Sequence, residues 1–120
     1  MYRSQFTDEA LKDLRALPKN VRNRLKQEFQ RKIHRDPSGC SEPLTGLLED
    51  FRSFHFGEHR VVYQVLEDLK VVAVVGIGKK DAGRRAEVCQ QLENIAKSGR
   101  LAAAVLEVYE SLGGRNPYKS

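Results

Sequence analysis

The strongest constraint on the fold is an apolar run, Val71 to Ile77, with the sequence VVAVVGI. Side chains on a strand alternate between the two faces of a sheet, so a run that is apolar at every position is typical of a strand covered on both faces. The run is far shorter than the roughly 20 residues that a membrane-spanning helix needs. It therefore predicts a central buried strand with a layer of structure on each side.

Two further strands are predicted before this run. Phe51 to Phe56 and Arg60 to Leu66 are rich in aromatic and β-branched residues, and Gly57-Glu58 between them is a turn signal. Alternation places two sets of side chains on opposite faces: Val61, Tyr63 and Val65 on one, and Arg60, Val62 and Gln64 on the other. The three strands are expected to form an antiparallel meander.

Helical patterns precede and follow the meander. After a short strand at Tyr2 to Phe6, Thr7 or Asp8 can cap a helix that ends before Pro18. The next helix carries an apolar stripe, and a helical pattern from 81 to 112 is interrupted at Ser98-Gly99. The stripe consists of Val21, Leu25, Phe29 and Ile33. We expect an α+β fold: an N-terminal helical hairpin packed on a small, mainly antiparallel β-sheet, with a C-terminal helical extension.

The chain has 120 residues, which is typical of one domain, and a net charge of +5 with a pI near 9.4. The charge is concentrated in Lys19 to Arg35, where seven basic residues stand against Glu28 alone. Such charges usually form the solvated face of a helix. The functional alternative is a surface for RNA or an acidic protein, because an excess of positive charge attracts anionic partners.

The cysteines and the N-terminal residues predict the cellular compartment of the protein. Cys40 and Cys89 are far apart and have no neighbouring ligands at zinc-site spacing. The first ten residues contain Arg3, Asp8 and Glu9, unlike a signal peptide. We expect a soluble cytoplasmic protein without a metal or cofactor and without membrane association.

A second set of basic residues lies around the meander. Arg52 and Arg60 fall on strands, Lys79 and Lys80 end the apolar strand, and Arg84 and Arg85 begin the helical region. Basic side chains at strand ends are commonly only solvated. Gathered at one end of a sheet face, they form a candidate phosphodiester-binding surface, and Arg52, Lys79, Arg84 and Arg85 are its candidate nucleic-acid contacts.

Two segments carry a resemblance to a known family. They are Phe56 to Val65 (FGEHRVVYQV) and Val71 to Lys80 (VVAVVGIGKK), and they follow Leu17-Pro18, a basic helix and Asp36-Pro37 in that order. This series, over about residues 2 to 89, resembles the RelE/ParE superfamily of bacterial toxins. The resemblance implies a small toxin neutralised by a cognate antitoxin. RelE-type members cleave mRNA on the ribosome, and ParE-type members inhibit DNA gyrase.

The resemblance also implies catalytic roles, which we carry over by position. Arg60 matches the strand arginine that would clamp the scissile phosphate, and Lys80 falls where an arginine often ends the central strand. His55 is the best general acid or base available, although an exposed strand histidine is an equally ordinary interpretation. RNA cleavage of this kind needs a proton acceptor, a proton donor and a stabilised phosphorane, and these residue types supply them without a metal.

Three positions depart from the family pattern. Cys89 stands where a tyrosine is expected, and Phe51 and Ser53 stand where catalytic lysines can occur. A gyrase inhibitor or a catalytically inactive binding member are therefore alternatives to an mRNA endoribonuclease. We divide the chain into a toxin core, 1–89, and a helical extension, 90–120, of the same domain. If the extension covers the sheet face of Arg60 and Val62, that packing would count against catalysis.

Overall fold

The computed structural model describes residues 1–79 and 87–112, without the side chain of Glu87. This part of the chain contains five strands: β1 (Arg3–Phe6), β2 (Glu42–Pro43), β3 (Arg52–Phe56), β4 (His59–Leu66) and β5 (Val71–Lys79). They form one mixed sheet in the order β1-β5-β4-β3-β2. Strand β1 is parallel to β5, and the other three pairs are antiparallel.

Four α-helices lie in the same described ranges: α1 (Asp8–Ala16), α2 (Lys19–Glu28), α3 (Glu87–Lys97) and α4 (Arg100–Ser111). Thr7 caps α1, because its Oγ1 accepts the amide of Ala10 at 3.3 Å. Helix α2 continues into one π-helical turn, Phe29–Ile33. Between α3 and α4, Gly99 adopts a φ of +79°, a left-handed conformation that glycine reaches without strain.

The apolar strand β5 is buried on both faces, as its sequence predicts. On one face Val72 and Val74 join a core with α1 and α2, in which Phe29 packs edge-on against Phe54 and Tyr63. On the other face a second core is closed by α3 and α4. This second core contains Val62, Val71, Ala73, Val75, Val88, Cys89, Leu92, Leu101 and Val105.

The α+β class is confirmed, and the short strand expected at Tyr2 to Phe6 is present as β1, ahead of the two N-terminal helices. The parallel pairing of β1 with β5 was not predicted and makes the sheet mixed. Strand β1 takes this place because Tyr2 and Phe6 pack against the α1–α2 core. Strand β2 was not predicted, since two exposed residues carry no periodicity.

The register of the meander agrees with the predicted alternation. Val61 and Tyr63 belong to the α1–α2 core, whereas Val62 belongs to the α3–α4 core. The division at residue 89 stays a prediction, and α3 runs across it. None of the helices in the described ranges is long and apolar enough to cross a membrane.

Candidate functional site

Arg60 and His55 lie directly opposite each other on β4 and β3. Arg60 also pairs with Gly78 on β5. A β-carbon added to Gly78 would meet Val88 of α3, so Arg60 and His55 lie on the α3 side of the sheet. The two side chains that the sequence nominated for catalysis are therefore neighbours. An arginine beside an imidazole combines a fixed positive charge with a group that exchanges protons near neutral pH.

The guanidinium of Arg60 is half-buried and only partly engaged. Its Nη1 donates to the Sγ of Cys89 at 3.6 Å, and its buried Nε has no hydrogen-bond partner among the described residues. Thiols are weak acceptors, and a guanidinium carries five N–H donors in a planar fork that matches an oxyanion. Arg60 thus retains donors suited to a phosphate.

His55 has a carboxylate beside it. Its Nε2 lies 3.9 Å from Oε2 of Glu42 on β2, a contact that is attractive only when the imidazole is protonated. The Glu42 side chain is 79% exposed, so the pair is weakened by solvent. The Glu42 carboxylate thus lies where it attracts a protonated His55.

Lys79 lies at the end of β5 on the other face of the sheet. It pairs with His59, which in turn pairs with Phe56, and Phe56 packs against the α1–α2 core; Lys79 is exposed there. Lys80, Arg84 and Arg85 lie outside the described residues. Among the predicted site residues that the structure describes, only His55 and Arg60 therefore lie together on the α3 face.

Arg52 is placed differently. Its Nε donates to Ser41 Oγ at 2.7 Å, and its Nη2 donates to the carbonyl oxygens of Ser38 and Ser41, each at 2.9 Å. Nearby, the hydroxyl of Tyr63 donates to the carbonyl of Pro37, and burial raises the pKa of Tyr63. In this structure Arg52 holds the loop before β2, and its role as a nucleic-acid contact stays a prediction.

Helices α3 and α4 cover much of the face that carries Arg60. Val62 is fully buried beneath them, and Cys89 is fully buried on the inner side of α3. Ser53 is 1% exposed, and its Oγ has no partner in the described part of the chain. The packing that would count against catalysis is thus present over Val62, while Arg60 keeps partial exposure.

Sequence reasoning missed two contacts of this site. Cys89 meets Arg60, which lies 29 positions away in the sequence, and Glu42 approaches His55 from an unpredicted strand. Neither contact leaves a periodic signal, because each depends on how separate elements pack. The departure from the family pattern at Cys89 gave no indication that this thiol contacts Arg60.

The basic helix α2 lies on the opposite side of the sheet. Its Arg31 and Lys32 both pair with Glu28, and the guanidinium of Arg24 lies 5.6 Å from the centre of the Phe56 ring. Lys19 and Lys26 are exposed. The helix therefore remains a strongly positive surface, separate from the Arg60 site.

Comparison with known proteins places the chain among toxins. Residues 5–82 match the family described as the ParE toxin of type II toxin-antitoxin system, parDE. This chain belongs to that toxin family. The predicted membership of the RelE/ParE superfamily is thereby confirmed.

Individual relatives of this toxin-family chain carry RelE names. A putative RelE-like toxin protein of Escherichia coli is 29% identical over 84 residues, which are 67% of this chain and 84% of that protein. The intact E. coli RelBE toxin–antitoxin complex contains a chain that is 30% identical, with a TM-score of 0.58, covering 68% of this chain and 99% of that one. The isolated E. coli RelE toxin is 28% identical with a TM-score of 0.57, covering 78% and 97%.

A further solved structure shares the toxin fold. The Mycobacterium tuberculosis RelBE2 complex has a chain with a TM-score of 0.62 and 23% identity, covering 66% of this chain and 98% of that one. At this identity the likeness concerns the fold alone. These matched chains are almost fully covered, whereas between about a fifth and a third of this chain is not, so the additional length belongs to this chain.

Proposed function

We propose that this type II toxin is neutralised by a cognate antitoxin and acts as a ribosome-dependent mRNA endoribonuclease that inhibits translation in the cytoplasm. The observation that carries the proposal is the pair of Arg60 and His55, in which a guanidinium with an unengaged Nε lies opposite an imidazole. The neighbouring toxin–antitoxin complexes support the antitoxin as a partner.

The chemistry assigns each side chain a step. A base removes the proton of a ribose 2′-hydroxyl, the oxygen attacks the adjacent phosphorus, and the bond to the 5′-oxygen breaks. Arg60 neutralises the charge that develops on the phosphorane, and protonated His55, beside Glu42, gives a proton to the leaving oxygen. Lys80 is the second proposed cationic group, and Lys79, on the other face at the end of β5, stays a predicted contact of the RNA backbone.

The test is expression from a tightly controlled promoter with mapping of mRNA 5′ ends. We expect new ends with the unaltered protein and about a 100-fold loss with Arg60→Ala, the usual scale for one transition-state contact. Arg35→Ala removes an exposed arginine just after the π-helical turn Phe29–Ile33 and is the matched control. Growth arrest without new RNA ends would reject cleavage and leave the toxin assignment standing.

A second candidate function is inhibition of DNA gyrase. Two observations favour it. The family that this chain matches is that of the ParE toxin, and α3 and α4 cover the sheet face beside Arg60. A supercoiling assay with purified gyrase separates the candidates, because a gyrase inhibitor acts there without ribosomes. If neither cleavage nor gyrase inhibition occurs, the remaining alternative is a catalytically inactive binding member.

A further inference from the structure

A cavity of about 220 Å³ lies among β1, β4 and the helices α1 and α2, on the face of the sheet opposite Arg60. Its floor is apolar, because four of its lining side chains are at most 8% exposed: Leu14, Leu25, Phe29 and Val61. An apolar cavity of about 150 Å³ is large enough to bind benzene. This cavity therefore has room for one aromatic ring with a short side chain.

A π-helical turn shapes one wall of the cavity. In an α-helix, residues five apart lie about 140° apart around the axis, because each residue adds about 100°. The turn Phe29–Ile33 instead closes with a bond from the His34 amide to the Phe29 carbonyl, at 2.8 Å. The imidazole of His34 thereby comes to lie edge-on beside the Phe29 ring, with 6.2 Å between centroids, and both rings line the cavity. Single π turns are frequent at functional sites.

The imidazole of His34 is held in this wall by its neighbours on β1. Its Nε2 lies 3.1 Å from the hydroxyl of Ser4, and the amide of Tyr2 donates to the His34 carbonyl at 2.8 Å. Burial lowers the pKa of His34, so its ring is uncharged at neutral pH and offers hydrogen bonds without a charge. An apolar cavity with a few fixed polar groups has the composition of a small-molecule pocket.

The mouth of the cavity is positively charged. Lys26 and Gln30 are exposed there, and none of the described residues that line the cavity is acidic. The acidic residue of α2, Glu28, is already paired with Arg31 and Lys32. A ligand that joins an aromatic ring to a carboxylate could bury its ring on the apolar floor and keep its charge beside Lys26.

We propose that this cavity binds a small aromatic carboxylate. The ring of the ligand lies between Leu25 and Phe29, because aromatic walls favour edge-to-face contact with another ring over contact with an alkyl chain. The carboxylate accepts from the ammonium group of Lys26 at the mouth. The inference goes beyond the proposed function, since the cavity and Arg60 lie on opposite faces of the sheet.

The first experiment is an NMR titration of the full chain with phenylacetate. We expect a dissociation constant of about 1 mM or tighter, which ligands of about ten non-hydrogen atoms reach. The methyl signals of Leu14, Leu25 and Val61 should shift and show nuclear Overhauser contacts with the phenyl protons. Phenylacetamide has the same shape without the charge and should bind at least about fivefold more weakly, and 2-phenylethylamine, a cation, more weakly still.

Two pairs of variants test the charge and the space separately. Lys26→Gln should weaken phenylacetate about fivefold and leave phenylacetamide within about twofold, whereas Lys19→Gln, on the same helix away from the cavity, should leave both unchanged. Ser4→Leu extends an apolar side chain into the cavity and should weaken phenylacetate at least about tenfold. Ser4→Ala leaves the cavity open and should bind within about threefold of the unaltered chain. If Ser4→Leu fails to fold, the Overhauser contacts in the unaltered chain decide where the ring lies.

Four outcomes would overturn the proposal. They are the absence of shifts at 10 mM phenylacetate, ring contacts on another surface, equal binding of phenylacetate and phenylacetamide, and equal weakening by Lys26→Gln and Lys19→Gln. Shifts of the same methyl signals with protein concentration alone would instead assign the cavity to a second copy of the chain. These readouts involve neither RNA nor gyrase, so a cleavage-deficient Arg60→Ala protein should bind phenylacetate as the unaltered chain does.

Discussion

Arg52 and Arg60 lie on adjacent strands, yet their guanidinium groups have different surroundings. Arg52 donates hydrogen bonds to Ser38 and Ser41 of one loop. The guanidinium of Arg60 donates a hydrogen bond only to the thiol of Cys89 among the described residues. Hydrogen bonds from a charged donor to backbone oxygens stabilise a fold, and partly engaged donors suit a ligand. Replacing Arg52 should therefore lower mainly the stability of the fold, whereas replacing Arg60 should lower mainly the activity.

Replacing Arg52 should cost stability. We expect Arg52→Ala to lower the free energy of unfolding by about 2 kcal/mol, because three hydrogen bonds to the loop are lost from a partly exposed group. Urea denaturation measures the change. Arg31→Ala removes the exposed pair with Glu28 and should cost less than about 0.5 kcal/mol. An Arg52→Ala protein of normal stability but without toxicity would instead support the nucleic-acid role.

His34 should make stability depend on pH. Burial lowers the pKa of His34 below its ordinary value of 6.5. As the pH falls through 6.5, the unfolded chain binds a proton that the folded chain resists, so the free energy of unfolding falls between neutral pH and the lowered pKa. The stabilisation is fully present above pH 6.5.

The measurement is urea unfolding at pH 7.5 and pH 5.0 for the unaltered chain and for His34→Gln. Glutamine keeps a partner for the Ser4 hydroxyl and does not titrate, so the difference between the two chains isolates the histidine. We expect the unaltered chain to lose more stability on acidification. Equal losses in both chains would contradict the prediction.

At the scale of elements, α3 packs close to β5 because glycine leaves room for it. A β-carbon at Gly76 would lie 2.9 Å from Cγ2 of Val88 and 3.2 Å from Leu92, and one at Gly78 would lie 2.7 Å from Cβ of Val88. Contacts this short force either the helix or the strand to shift. The two glycines thus set the distance at which α3 covers the sheet.

Gly76→Ala should destabilise the fold by about 1 to 3 kcal/mol, the usual cost of overpacking a core. Val88→Ala removes the clashing methyl, so the double variant Gly76→Ala, Val88→Ala should lose less stability than the sum of the two single changes. Thermal and urea unfolding of the three variants give the coupling. If the stability losses of the two single variants add up to that of the double variant, the glycine does not act by leaving room for Val88.

At the scale of the whole molecule, the sheet separates two apolar cores. The α1–α2 core lies on one face and the α3–α4 core on the other, and β5 contributes to both. Helices α3 and α4 lie after the residues that match the toxin family, and they close the second core. Stability of the molecule should therefore depend on residues outside the family match, which ends at 82.

Leu101→Ala tests this dependence. Leu101 is 4% exposed within the α3–α4 core, and its truncation should cost about 3 kcal/mol through lost burial and a residual cavity. Leu47→Ala, at a leucine that is 55% exposed, should change the free energy of unfolding by less than about 0.5 kcal/mol. If Leu101→Ala lowers the free energy of unfolding no more than Leu47→Ala does, α4 does not stabilise the toxin fold.

Patterns within single segments were sufficient for much of the fold. The doubly apolar run of β5, the alternation of β4 and the Thr7 cap each depend on neighbours in the sequence, and the structure contains all three. The two-residue strand β2 and the parallel pairing of β1 are absent from such patterns, because they depend on partners far along the chain.

For the candidate site, sequence alone determined which residue types stand on which face: Arg60 and His55 opposite the side of Val61. Only the tertiary structure decided their surroundings. It brought Cys89 and Glu42 to them, engaged Arg52 in a loop, and laid α3 and α4 over Val62. The reason is physical: alternation follows from the local geometry of a strand, whereas contact between elements follows from how their apolar surfaces are buried together.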